Sequence, residues 1–267
     1  MSSLTTFARV LRPLGSPPRV DHVFLDVYLV LYDILNDDDE ELRDIAASAS
    51  SWILSYSSVS LSKAVALSPL NAASLLAEFV ARNYPDSRLL FHKIARYCTG
   101  QEPRISGSID RTSLTPVSHS INELRKESTV LFVEEKQNLF IDEVREVHLW
   151  PQKLLCLNET AFDEDTVKGL FAWVSGGLEY LVHATADDSG KDGLLGWASK
   201  PEIFVLGMRV INVAAVLVSS QFPGSKCLEE DCRGVVEGQL RSLLESGKKA
   251  CLHQDWISRV QGALKVT

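Results

Sequence analysis

The stretch Leu31-Tyr-Asp-Ile-Leu-Asn-Asp-Asp-Asp-Glu-Glu-Leu-Arg-Asp-Ile-Ala-Ala47 decides the fold class of this chain. It joins an apolar run to an acidic turn and then to a segment whose apolar and small residues recur at three- and four-residue steps, from Leu42 to Ile53. That spacing puts the apolar side chains on one face of an α-helix. The preceding apolar run, 20–35, is too long for an ordinary strand, so it also predicts a helix.

The acidic turn contains the start signal of the second helix. Asp38 and Glu41 have the spacing of a capping box, and carboxylates are favourable at the positive end of a helix. A calcium loop of the EF-hand type is a poor alternative, because the central Gly and the distal Glu that such a loop needs are absent.

This stretch resembles a HEAT repeat, in which an apolar helix end, an acidic turn and a helix with an early Arg follow one another. In that family the Arg, here Arg43, and the turn acid, here Asp37 or Asp38, tie neighbouring repeats together. An Arg fork is suited to this role because it can bridge a carboxylate and free carbonyl groups. The alternative is that the acids only cap a solvated helix end, which is compatible with the same fold.

The rest of the chain predicts further helices separated by polar turns, with no alternating pattern of strands. They are expected at about 69–84, 87–98, 117–126, 134–157, 163–185, 200–220, 229–247 and 252–264. We therefore predict an all-α, HEAT/armadillo-like α-solenoid of irregular helix pairs. Its parts are an irregular or disordered N-terminus at 1–19, HEAT-like helix pairs at 20–99, a long loop at 100–116 and a helical-repeat continuation at 117–267.

Composition narrows the function classes. The net charge is −8, so the chain is a poor autonomous binder of RNA, whose recognition depends on Lys and Arg. Five cysteines at irregular spacing do not indicate a disulfide framework, which favours a reducing compartment, and we predict a cytoplasmic location. The most apolar run, Ile203–Val218, is interrupted by Arg209 and Asn212, so no membrane-spanning helix is expected.

A second informative stretch is Leu131-Phe-Val-Glu-Glu-Lys-Gln-Asn-Leu-Phe-Ile-Asp-Glu-Val-Arg-Glu146. On a helical wheel, Lys136 and Glu143 fall on the same arc as Val133 and Phe140, whereas Arg145 lies on the opposite, outer side. Buried charges are costly unless they are paired, so we predict that both charged residues are partly buried and bonded. A Lys side chain that extends along the helix edge to solvent is the alternative, and a catalytic Lys/Glu pair is a remote one.

The same 16 residues resemble a signature of the thyroid adenoma-associated protein (THADA) family. Its fungal members are accessory subunits of an FtsJ-type tRNA 2′-O-ribose methyltransferase, and this chain would correspond to their C-terminal region. The resemblance implies a noncatalytic scaffold with no cofactor, an FtsJ-like tRNA methyltransferase as partner, and only indirect contact with tRNA. A generic HEAT-type protein-binding module or a nonfunctional truncated remnant is the alternative. The candidate structural or partner-contact residues are Asp37, Asp38, Arg43, Glu134, Glu135, Lys136, Asn138, Asp142, Glu143 and Arg145.

Catalytic and metal-binding patterns are weak. Cys227, Cys232, Cys251 and His253 could form a zinc site by residue type, but the intervening residues predict an amphipathic helix with buried structural cysteines. Neither a Gly-x-Ser-x-Gly elbow nor a Gly-rich loop for S-adenosylmethionine is present. The sequence therefore predicts a protein that is not itself an enzyme.

Three further features give testable expectations. His148, beside Trp150, could stack on RNA, although the end of a packed helix is the simpler interpretation. The pair Gly176-Gly177 predicts a close crossing between helices. An apolar face that a neighbouring repeat would cover is expected on the first helix, at residues such as Val23, Val27 and Val30.

Overall fold

The computed structural model describes residues 22–37, 39–55, 67–100, 116–119, 145–186, 201–228, 230–249 and 254–266. Within these ranges the regular structure is helical and no strand occurs. The helices are α1 (His22–Leu35), α2 (Glu40–Ser55), α3 (Pro69–Asn83), α4 (Arg88–Thr99), α5 (145–154), α6 (Glu164–Ala186), α7 (Pro201–Leu217), α8 (Glu230–Lys249) and α9 (Gln254–Val266). Short 3-10 helices lie at Glu159–Ala161 and Pro223–Cys227, and residues 117–119 are helical. The all-α prediction is confirmed.

The chain divides into two compact units, Met1–Leu90 and Phe91–Thr267, and the boundary falls within α4. The predicted N-terminal segment 1–19 and residues 101–115 of the predicted loop lie outside the described residues.

In the first unit, α1, α2 and α3 pack against one another around aromatic and aliphatic side chains. Tyr28 is buried and meets the ring of Phe79 edge-on, with centroids 5.3 Å apart. Edge-to-face pairs of this kind add to the free energy gained by burying the rings. Ala46 and Ala47 of α2 are buried as well, and such small side chains permit close helix packing.

The turn between α1 and α2 is held by side-chain contacts to the backbone. The Asp39 carboxylate accepts hydrogen bonds from the backbone N–H of Glu41 at 2.9 Å and of Leu42 at 3.4 Å. Asp39 is therefore the N-cap of α2, and the prediction placed the capping carboxylate one residue too early, at Asp38. The reason is that three consecutive aspartates can each supply the same cap, and only the backbone path selects one.

Apolar side chains of α4 and α1 differ in how far they are covered. Leu90, Ile94 and Ala95 of α4 are buried, but Leu89 at the margin of this apolar stripe remains 37% exposed. On α1, Val30 is 56% exposed, as expected for an uncovered apolar face, whereas Val27 is half-buried.

In the second unit, α6 packs against α7 and α8, while α9 packs against α7 and α8. The Gln239 side chain of α8 donates to the backbone oxygen of Ser175 on α6 at 3.2 Å. A Cβ atom added at Gly177 of α6 would lie 2.9 Å from Val117 and 3.0 Å from Val210 of α7. The predicted close crossing is confirmed at Gly177 but wrong at Gly176, where a Cβ would meet nothing within 4 Å.

Candidate functional site

Two polar residues lie inside the otherwise apolar helix α7. Arg209 and Asn212 are both buried, at 5% and 8% exposure. A buried guanidinium or amide is costly unless its hydrogen-bonding capacity is met, so the partners of these two side chains identify contacts that the fold depends on.

Arg209 binds the end of one helix and the start of another. Its Nη1 donates to the backbone oxygen of Tyr97 on α4 at 2.6 Å, and its Nη2 lies 3.4 Å from Oε2 of Glu146 on α5. Gly100, with φ of 69°, follows α4 in the left-handed region that glycine adopts without steric cost. A Cβ atom there would lie 3.1 Å from Nε of Arg209, so glycine also leaves space for the guanidinium.

Burial also determines the protonation state of the Cys98 thiol, which is next to Arg209. Cys98 is fully buried, and this burial raises the pKa of its thiol far above the usual range, with a smaller lowering by Arg209. The thiol therefore remains protonated at neutral pH, and it has neither the thiolate character nor the solvent access of a reactive cysteine.

Asn212 fixes the tautomer of His148. Its Nδ2 donates to the backbone oxygen of Val147 at 2.9 Å and lies 3.3 Å from Nδ1 of His148. Nη2 of Arg259 lies 3.0 Å from the same Nδ1 atom. Because an amide nitrogen and a guanidinium can only donate, Nδ1 must accept, and the proton of the neutral ring resides on Nε2.

Lowering the pH is expected to destabilise the chain through His148. Burial lowers the pKa of His148, Arg259 lowers it further, and Asp255 opposes the shift. The unfolded chain therefore binds a proton at a higher pH than the folded chain does. The contribution of His148 to the free energy of unfolding is fully present above the ordinary histidine pKa and is lost as pH falls through the pKa of the folded state.

The measurement is urea unfolding of the wild-type chain and of His148→Asn at pH 7.5 and pH 5. Asn preserves an acceptor for Asn212 and Arg259 but does not titrate. We expect the free energy of unfolding to fall more steeply with acidification in the wild-type chain than in the variant. Equal slopes would contradict the lowered pKa of His148.

Helices α7 and α9 touch where α7 has no side chain. A Cβ atom at Gly207 would lie 2.1 Å from Cζ2 of Trp256, so only glycine permits this approach. The indole of Trp256 is 1% exposed and stacks on Phe204 with the ring planes 16° apart. This contact fixes the distance between the two helices beside the site.

A groove with a volume of 520 Å³ is lined by residues of α5, α7 and α9, all in the second unit. Its lining residues are Val147, His148, Phe204, Val205, Met208, Asp255, Ser258 and Arg259. Val147, Val205 and Met208 are buried and Phe204 is half-buried, whereas Asp255, Ser258 and Arg259 are exposed. The groove thus combines an apolar interior with a polar rim, which is the usual composition of a binding site.

A hydroxyl, an imidazole and a carboxylate also meet at the start of α6. Oγ1 of Thr166 lies 3.0 Å from Nδ1 of His92, whose Nε2 lies 3.2 Å from Oδ2 of Asp163. That oxygen makes no hydrogen bond among the described residues, so the contact is an ion-pair contact that does not orient the ring as a catalytic carboxylate does. Asp163 Oδ1 accepts from the Thr166 N–H at 2.9 Å, so the aspartate is the N-cap of α6.

The structure brings together some of the residues that the sequence singled out. Arg43 donates to the backbone oxygen of Asp37 at 3.2 Å, rather than to its carboxylate, which accepts from the Asp39 N–H at 3.0 Å. Arg145 was expected on the outer face of its helix but is half-buried, with an Nε atom that solvent does not reach. The other candidates, Asp38, Glu134, Glu135, Lys136, Asn138, Asp142 and Glu143, lie outside the described residues.

The aromatic and cysteine expectations had mixed outcomes. Trp150 is fully buried and stacks on Tyr97 with centroids 4.7 Å apart, which agrees with a packed helix and leaves no exposed face for a base. Cys227 and Cys232 are half-buried rather than buried. In the described ranges no group of three His, Cys, Asp or Glu side chains could hold a metal ion, and Cys251 and His253 fall outside them.

The groove and the polar residues around it escaped the sequence reasoning. Arg209 and Asn212 were noticed only as interruptions of an apolar run. Two polar residues three positions apart share one helix face, so this spacing was the available signal for a buried hydrogen-bonding site. Their partners, Tyr97, Glu146 and Val147, are distant in sequence and no local pattern connects them.

One known family model matches most of the chain. The family model Trm732_C, described as "Trm72 ARM-like repeat region", matches residues 78–267, which is well over half of the chain. The chain belongs to this family. Membership agrees with the helical architecture and with an α-solenoid of the armadillo-like class. No match was found among curated proteins or among solved structures.

In the described residues, no helix is both long enough and apolar enough to cross a membrane.

Proposed function

We propose that this protein is a noncatalytic helical scaffold of the tRNA methylation machinery, and that it holds an FtsJ-like methyltransferase that modifies ribose 2′-hydroxyls of the anticodon loop. The observation that carries the proposal is the Trm732_C match across residues 78–267. The resemblance of residues 131–146, which lie within the matched range, to the THADA family supports the same partner. In this reading the enzyme supplies the methyl-donor site and the catalytic groups.

The charge of the chain supports a protein partner rather than direct capture of tRNA. At a net charge of −8 the chain lacks the excess of Lys and Arg that drives counterion release from RNA. A basic RNA-binding enzyme is electrostatically complementary to such a scaffold, which increases the rate of association. The chain would then contact tRNA only indirectly, and the partner enzyme implies a cytoplasmic location.

The test is affinity purification of the tagged chain followed by mass spectrometry, together with nucleoside analysis of tRNA from a deletion strain. We expect the chain to recover an FtsJ-like methyltransferase, and the deletion to lower 2′-O-methylation in the anticodon loop. Partners of another class together with unchanged tRNA methylation would instead indicate a generic HEAT-type protein-binding module.

A further inference from the structure

Helix α1 is apolar on nearly all sides, but its neighbours cover only part of its surface. Eleven of its fourteen residues are apolar, and a helix of this composition is normally buried all round. It packs against α2 and α3. Val30 nevertheless keeps 56% of its surface exposed, and Val27 and Ile34, on the same flank of the helix, are half-buried. The described residues therefore leave an apolar strip of α1 uncovered.

Exposed carboxylates lie beside this strip and beyond its end. Asp26 is exposed and lies four positions before Val30, which places the two side chains next to each other on one face of α1. The last turn of α1 contains no basic residue, and the turn that follows leads to the exposed Glu40 and Glu41. Because the C-terminus of a helix itself attracts cations, this end of α1 favours a positively charged neighbour.

The net charge of the chain is concentrated in this part of the sequence. Residues 21–62 contain nine Asp and Glu residues and a single basic residue, Arg43, so they carry a net charge of −8, the same as the whole chain. Arg43 is half-buried and donates to a backbone oxygen. Among the described residues, no cation forms an ion pair with Asp26, Glu40 or Glu41. These carboxylates are therefore available to a cation from outside the chain.

This charge selects the class of molecule that can cover the strip. RNA and anionic lipid surfaces are repelled by it, and a second copy of the chain would bring a second charge of −8 to the same place. An uncharged apolar segment would cover Val30 but leave the carboxylates without partners. A protein segment whose aliphatic side chains stand between Lys or Arg residues satisfies both features of the surface.

We propose that the uncovered strip of α1 is the docking surface for a segment of the partner methyltransferase in which aliphatic residues stand between Lys or Arg residues. The aliphatic side chains cover Val30 and its half-buried neighbours, and the cations pair with Asp26, Glu40 and Glu41. This inference rests on the proposed function, since it names the surface by which the scaffold holds the enzyme.

The first experiment measures binding of the purified methyltransferase to the full chain and to two α1 variants. Val30→Lys interrupts the apolar strip, and Asp26→Lys reverses the charge beside it. Matched controls on α8 are Val235→Lys, at a valine that is 52% exposed, and Glu245→Lys, at an exposed carboxylate, so each control changes the net charge as its α1 counterpart does. We expect each α1 variant to weaken binding by at least about tenfold, and each control to change it less than about twofold.

The outcomes separate the two proposals. If the wild-type chain does not bind the enzyme, both the proposed function and this surface are wrong. If it binds, and either α1 variant binds equally well with unchanged helical content and melting temperature, the surface is wrong and the scaffold function stands. Binding of the wild-type chain is also expected to weaken as the salt concentration rises, and to weaken less in Asp26→Lys. Binding that does not depend on salt would contradict the ionic contacts.

The second experiment identifies the occupant in the assembled complex with tRNA present. A photo-crosslinking amino acid at position 30 is compared with the same group at position 235. We expect position 30 to capture a peptide of the enzyme in which aliphatic residues stand next to Lys or Arg. Capture of tRNA, of a second copy of the chain, of an acidic peptide, or of equal amounts of enzyme at both positions would overturn the assignment.

Discussion

Replacing Arg209 with methionine is expected to lower the free energy of unfolding by about 3–5 kcal/mol, the range for breaking a buried ion pair from one side. The side chains of Arg209 and Glu146 are only 6% and 17% exposed, so the variant leaves a largely buried carboxylate without its cation. The variant also removes the 2.6 Å hydrogen bond to the backbone oxygen of Tyr97. Urea unfolding monitored by circular dichroism measures this loss.

A double variant distinguishes loss of the pair from loss of packing. Arg209→Met combined with Glu146→Gln removes the stranded charge, so we expect the double variant to be more stable than Arg209→Met alone. The Tyr97 carbonyl remains without its donor, so recovery is expected to be incomplete. A cost below about 1 kcal/mol for the single variant would show that solvent readily replaces these contacts.

The second large effect is expected at Gly207. A Cβ atom placed there lies 2.1 Å from the Trp256 ring, which is buried and cannot move aside. Gly207→Ala must therefore push α7 and α9 apart, at a cost of about 3 kcal/mol, the upper end for overpacking a core. The measurement is again the free energy of unfolding.

Gly238→Ala is the matched control, because this glycine lies in α8 with nothing within 4 Å of an added Cβ. There alanine is expected to stabilise the chain by about 0.5–1 kcal/mol through its higher helix propensity. Combining Gly207→Ala with Trp256→Leu tests the contact itself, since the two costs should sum to less than their separate values. Additive costs would indicate that the clash is relieved elsewhere.

The sequence predicted the fold class because apolar periodicity is a local property. The stretch from Leu31 to Ala47 contains a helix end, a turn and a helix start within 17 residues, and the structure has α1 and α2 on either side of that turn. The remaining described helices also lie close to the expected ranges. What the pattern left open was which aspartate caps α2, since three neighbours have the same chemistry.

The candidate site was not predictable from the sequence in the same way. Its polar contacts join residues about 60 to 110 positions apart, such as Arg209 with Glu146 and Arg259 with His148. Contacts at this separation depend on how helices pack rather than on the order of residues within one helix. Helical-wheel reasoning placed Arg145 on an outer face for the same reason: a wheel describes one helix without its neighbours, and Arg145 is half-buried.

The cap of α6 has a consequence for automated function assignment. The Thr166 hydroxyl lies 3.0 Å from one ring nitrogen of His92 and the Asp163 carboxylate 3.2 Å from the other, so a template search that scores interatomic distances alone would report a hydrolase. Asp163 Oδ1 instead accepts from the Thr166 N–H, and Oδ2 makes no hydrogen bond among the described residues, so the carboxylate–imidazole hydrogen bond of a catalytic triad is missing. A catalytic triad in a helical-repeat protein should therefore be assigned from its hydrogen bonds as well as its distances, because helix-capping residues can bring the same groups together.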